Sequence, residues 1–142
     1  MTEIEKIIIK NIESNGSLSL EEYMTITLYH PQFGYYSKKN IIGKSGDFIT
    51  SPEVSQVFGE LIASWLVFNS SSFFKNKFNF LELGPGRAVL IQDILRTIKS
   101  INNNLYSNIE NVYFLEKSSQ FKKYQKNIKK SKIISDIGVI EN

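Results

Sequence analysis

Residues 80–95 read FLELGPGRAVLIQDIL: an apolar run ends near a carboxylate, breaks at Gly-Pro-Gly, and restarts as an amphipathic segment. The groups with chemical use are Glu82, Gly84 and Gly86. Glycines let the backbone turn tightly and let a ligand lie against bare main chain. A helix starting just after the turn aims its unpaired N–H groups and partial positive charge at the same place, which favours a polar or carboxylate-bearing cofactor. A second acid, Glu116, closes the run NVYFLE at 111–116. If the two runs are adjacent parallel strands, Glu116 stands beside the turn, where a carboxylate can accept from two vicinal hydroxyls in short charge-assisted bonds. A dinucleotide site needs G-x-G-x-x-G and an acid about 20 residues on; here Val89 takes the third glycine's place and Tyr106 the acid's. No Gly-Lys-Ser/Thr closes the turn, so it is not a P-loop. The plain alternative is a tight chain reversal, with Glu82 capping neighbouring amides and Glu116 in solvent.

The elements that must position these residues follow from periodicity. From about residue 78 the order is strand (78–83), helix (88–99), polar loop (101–108), strand (111–116), basic helix (119–130) and strand (131–137). This β-α-β-α-β order predicts parallel strands with right-handed crossovers, and ligands then sit at the carboxyl ends of the strands. In the 88–99 helix Val89, Leu90, Ile94, Leu95 and Ile98 are expected inward. Upstream, Ile4, Ile7, Ile8 and Ile12 mark a helix over 3–13. Ser19 with Glu22 forms a capping box for a helix over 20–29, and His30-Pro31 ends it. His30, the chain's single histidine, is thus read as a helix end rather than a general base. Residues 31–50, with three glycines and four aromatics, are expected as a loop or short-strand segment, with Tyr35 and Tyr36 as packing residues. Ser51 as N-cap, Pro52 at the first helical position and Glu53 in the first turn open one helix over 52–69. Residues 70–77 are a linker.

Hydrophobic residues make up 42% and charged residues 22% of the 142-residue chain, the balance of a soluble globular protein. No run of about 18 apolar residues suggests a membrane span. With no cysteine there is no disulfide, thiolate nucleophile or cysteine metal site, and no metal is expected. The N-terminus carries Glu3 and Glu5 beside a short apolar core, unlike a signal or transit peptide, so a cytoplasmic, bacterial location is expected. Net charge is +3, with the excess in KSSQFKKYQKNIKKSK at 117–132. That run is read as a solvated helix face, because no aromatic platform accompanies it. Neither nucleic acid nor membrane is an expected partner.

The acid-x-Gly-x-Gly turn with Glu116 on the next strand resembles the class I methyltransferase pattern, which implies S-adenosylmethionine (SAM) as cofactor. Longer stretches sharpen this. YMTITLYHPQFGYYS (23–37), GKSGDFITSPEVSQVFGELIASW (43–65) and LELGPGRAVLIQDILR (81–96) resemble the MidA-type SAM-dependent methyltransferases, which include the mitochondrial complex I assembly factor 7 group. The resemblance implies an α/β fold: an N-terminal helical and loop region over 1–70, then an incomplete SAM-binding, Rossmann-like domain over 78–142 with a truncated sheet of about three parallel strands. It implies that Glu82, Gly84 and Gly86 form the cofactor turn, that Glu116 holds the ribose, and that Gly46, Asp47, Thr50 and Ser51 lie near the cofactor. Local loop capping remains the alternative for Asp47 and Thr50. The implied function is protein arginine methylation linked to respiratory complex I assembly, by in-line displacement at the SAM methyl carbon; the catalytic base is unknown. Two departures stand out. Ala88 and Val89 replace the family's usual Gly and Ser/Thr, and the family's later strands and Asn-Glu-Phe-Phe-Asp-Ala-type motif do not appear. Rival expectations are a fragment whose missing strands come from a partner chain, and a non-catalytic protein-interaction module.

Overall fold

The computed structural model describes residues 1–37, 41, 43, 46–74 and 76–140; parts of the expected 31–50 loop, including residues 44 and 45 of the GKSGDF stretch, lie outside the described residues. The N-terminal region holds α1 (Glu3–Asn15) and α2 (Leu20–Tyr29). Each opens on a capping box, Thr2 with Glu5 and Ser19 with Glu22. In these the side chain and backbone of both partners satisfy free amides reciprocally. At the end of α2, the His30 ring nitrogen Nδ1 accepts from Gln32 N and Phe33 N at 3.3 Å each, and the ring stacks on Phe33.

The helix expected over 52–69 is two. α3 (Ser51–Val54) is a single turn with Thr50, not Ser51, at its N-cap and no side-chain cap; α4 (Val57–Phe68) follows. The break falls at Ser55, which is extended (φ −154°, ψ 135°) and whose hydroxyl accepts from Val57 N. Residues 70–77, expected as a linker, hold the single turn α5 (Ser70–Phe73).

The sheet has order β1-β2-β3, all parallel: β1 (Phe78–Leu83), β2 (Ile109–Leu115) and β3 (Ser131–Ile134). Between β1 and β2 run α6 (Val89–Ile101) and a helix not expected, α7 (Asn103–Asn108), which begins where the Asn102 side chain accepts from Leu105 N. Between β2 and β3 lies α8 (Ser119–Gln125), shorter than the basic helix expected.

One face of the sheet carries Phe80 and Glu82 of β1 in register with Val112 and Phe114 of β2. α6 covers it with Ile91, Ile94, Leu95 and Ile98, and Phe114, Val112 and Ile98 are wholly buried. α4 packs on α6 in turn. Their approach is close at Gly59, where a Cβ would come within 2.6 Å of the Asp93 Cβ. The inward face of α4 is therefore Gly59, Ile62, Ala63 and Leu66, while Val57, Leu61 and Phe68 of the same apolar periodicity face outward.

Candidate functional site

The first strand runs straight into the glycine turn. Gly84 N donates to the Leu115 carbonyl at 2.9 Å, the last bond of the β1–β2 ladder. Gly84 and Gly86 then take φ of +62° and +54°, the left-handed region where only glycine is unstrained. Ala88 follows at φ +56°, wholly buried, and α6 starts from it without a side-chain cap. A non-glycine residue held there costs roughly 1–2 kcal/mol.

Polar contacts hold this turn alongside the burial of Ala88 in the core. Glu116, just past β2, is buried; one carboxylate oxygen accepts from Gly86 N at 3.1 Å and the other from Ser118 N at 2.8 Å. Gln125, wholly buried at the end of α8, donates from Nε2 to the Gly86 carbonyl at 3.1 Å. Arg87 reaches the other way to Glu53 of α3, at 3.2 Å.

The two carboxylates exchange the places that the plain-turn alternative gives them. Glu116, placed in solvent there, binds the neighbouring amides. Glu82, given the amides, has one oxygen buried with no hydrogen-bond partner among the described residues. Burial without a partner pushes its pKa up to about 7.

Clefts open on two sides of the turn, and Gly84 and Gly86 line both. One, of about 310 Å³, is closed by Glu82, Thr50, Pro52 and the first residues of α6. The other, of about 170 Å³, is closed by Glu116, Ser118, Tyr29, Tyr36 and Phe121. A Cβ at Gly84 would meet nothing within 4 Å, so bare backbone faces open space there.

The expected residues from the 46–51 stretch separate. Thr50 lines the larger cleft beside Glu82. Asp47 instead accepts a hydrogen bond from the Tyr35 hydroxyl at 2.6 Å, and this pushes the Tyr35 pKa up to about 12. Gly46 closes a local turn onto the Gly43 carbonyl, and Ser51 is exposed in the first turn of α3. The helix that opens at Ser51, α3, is only four residues long. Too few aligned peptides stand behind its N-terminus for a sizeable dipole. Tyr29, Tyr36, Arg87, Phe121 and Gln125 were not expected at the site. The aromatic density of 31–50 was the one signal for Tyr36.

Residues 61–138 match a family model described as "Putative S-adenosyl-L-methionine-dependent methyltransferase". The chain is 36% identical over 126 residues to the protein arginine methyltransferase NDUFAF7, mitochondrial, of Bos taurus, covering 88% of this chain and 29% of that one. The Homo sapiens protein of the same name is 39% identical over 115 residues (80% and 26% of the chains). Its Drosophila melanogaster homolog is 46% identical over 88 residues (61% and 20%). The chain thus spans less than a third of the length of these curated relatives. A crystal structure of an uncharacterized superfamily protein from Burkholderia thailandensis shares the fold, with a TM-score of 0.62 at 17% identity, over 94% of this chain and 34% of that one. The expectation of a bacterial cytoplasmic location is overturned, because the curated relatives are named as mitochondrial proteins of animals. Missing cysteines and two N-terminal acids constrain redox and leader chemistry only, not the compartment.

Proposed function

Because the chain belongs to this family of S-adenosyl-L-methionine-dependent methyltransferases, we propose that Glu82, Gly84, Gly86 and Glu116 hold SAM across the glycine turn. The complete protein would use it to methylate a protein arginine, the activity in its relatives' names. The observation that carries this reading is the shared wall. Gly84 and Gly86 separate a cleft ending at Glu116 from one ending at the unpartnered oxygen of Glu82. One elongated ligand can lie against that backbone with a polar group at each end. When bound, SAM supplies the electrophilic methyl group.

The chain's own residues then have distinct work. Each Glu116 oxygen keeps lone-pair capacity after accepting one amide, enough for a ribose hydroxyl. Glu82 Oε2 is an acceptor waiting for a donor; a cationic group placed against it would return its pKa toward the ordinary carboxylate range. Thr50 and the start of α6 offer donors to a carboxylate on the same side. Arg87, tied to Glu53, holds α3 against the turn and so positions Thr50. The resemblance points to respiratory complex I as the setting of the methyl acceptor.

The β1 flank supports a second element of the proposal: a partner chain that supplies further strands. β1 is an edge, and its Leu81 and Leu83, which alternate with Phe80 and Glu82, are 40% and 61% exposed. An uncovered edge of this kind is a template for pairing. Co-purification with a polypeptide carrying the remaining strands, lost on Leu83→Asp, supports it. A chain that gains neither stability nor mass from such a polypeptide rules it out.

Calorimetric titration of the 142-residue chain with SAM tests the cofactor assignment. Saturable binding that Glu116→Ala abolishes is the expected result. A folded chain that takes up no SAM would show that these residues do not form the site.

A further inference from the structure

The segment from Tyr29 to Ser37 is sewn to the loop after β2 and the first turn of α8, 82 and 83 residues away along the chain. Ser118 Oγ donates to the Tyr36 carbonyl at 3.0 Å, and Gln120 Nε2 donates to the Ser37 carbonyl. Within the segment the Tyr29 and Tyr36 rings stack, with centroids 5.5 Å apart and planes at 25°. Tyr35 meets Tyr36 edge-on at 5.3 Å, which fixes its tilt. Both rings of the stacked pair line the 170 Å³ cleft together with Phe121 and Glu116. Burial, with smaller contributions from Tyr36 and Glu116, raises the Tyr29 pKa, so its hydroxyl stays protonated and available as a donor.

The cleft therefore combines rigid aromatic surface with a buried carboxylate that has acceptor capacity left. A planar apolar ring joined to a vicinal diol satisfies both, the ring by packing and the diol by charge-assisted hydrogen bonds. We propose that Tyr29, Tyr36 and Phe121 form the recess for the purine of an adenosine-bearing ligand whose ribose diol reaches Glu116. The inference rests on the SAM reading and extends it: the N-terminal region is a wall of the cofactor site and selects for adenosine. Without Tyr29 and Tyr36 the cleft would keep its carboxylate and have Phe121 alone as aromatic surface.

The test uses the 142-residue chain with two probes, SAM and adenosine. Nuclear Overhauser contacts between the adenine H2 and H8 protons and tyrosine or phenylalanine ring protons are expected in the wild type. By titration, Tyr36→Leu should weaken SAM by about ten-fold or more, the usual effect of deleting an aromatic stacking partner of a base. Tyr36→Phe keeps the ring and should stay within about two-fold for the same reason. Circular dichroism and the melting temperature establish that each variant is folded. SAM bound with unchanged affinity by folded Tyr36→Leu, and no ring contacts in the wild type, overturns the recess and leaves the SAM reading standing. Adenosine bound with the ring contacts but SAM refused supports the recess and counts against SAM. A folded wild type that binds neither probe overturns both.

Discussion

The two faces of β1 meet different fates. Toward α6, Phe80 and Glu82 sit in register with Val112 and Phe114, and α6 and α4 stack above them closely enough to require Gly59. On the other face Leu81 and Leu83 stand exposed. Burial free energy is thus concentrated between β2 and α6. The glycine turn, at the boundary between the two regimes, is fixed in addition by hydrogen bonds, one from Gly86 N to Glu116 and one from Gln125 to the Gly86 carbonyl. With these directional bonds fixing it, the Gly84–Gly86 backbone keeps open space on both sides.

Deleting a ring on the buried face and a side chain on the open one separates the two faces energetically. Phe114→Ala should cost about 3–5 kcal/mol, the usual range for an aromatic removed from a packed core. Leu83→Ala should stay within about 0.5 kcal/mol, as for surface positions. Urea unfolding of both variants decides; equal losses would mean that the open face is covered in solution. Next in size, Glu116→Ala leaves the buried amides of Gly86 and Ser118 without their acceptor. That should cost about 2–3 kcal/mol, given the strength of hydrogen bonds to charged groups. A loss below about 0.5 kcal/mol would show that the turn is held by packing after all.

This division was partly legible. The apolar run into Gly-Pro-Gly and the helical spacing after it placed β1, α6 and β2 correctly, because those signals are local. Two misses were also local but masked. Apolar periodicity runs straight through Ser55, hiding the break between α3 and α4, and the Asn-rich composition of 101–108 hid a capped helix behind loop-like polarity. The site was legible only in part. Spacing brought Glu116 to the turn, but could not show that Glu116 would take the amides and leave Glu82 bare. Nor could any local pattern bring Tyr29 and Tyr36 to Glu116, since that contact depends on the path of a loop between distant elements.

Glu82 gives a smaller, pH-dependent test on the boundary itself. Its raised pKa means that the folded chain binds a proton the unfolded chain releases. The resulting stability is fully present below the ordinary value of 4.5 and is lost as pH rises toward about 7. Glu53 and Arg87, which line the same cleft, are paired with each other. Glu82→Gln should therefore flatten the fall in melting temperature between pH 5 and pH 8 (bounds set by the expected window) and melt above the wild type at the upper end. Parallel melting curves for the two proteins would mean that Glu82 has a partner in solution.

The smallest effect is expected at Ala88, where opposing terms nearly cancel. Glycine would relieve the left-handed strain of roughly 1–2 kcal/mol. It would also add unfolded-chain entropy, costing about 0.4–1 kcal/mol, and remove a buried methyl group that contributes about 0.8 kcal/mol. Ala88→Gly should thus change stability by less than about 1 kcal/mol in either direction. The alanine is wholly buried under α6, and Gly84 and Gly86, not Ala88, line both clefts. SAM affinity should accordingly stay within about three-fold, a difference under 1 kcal/mol. A ten-fold gain in affinity would show that the extra methyl displaces the turn, and that the family's glycine serves the ligand rather than the helix start.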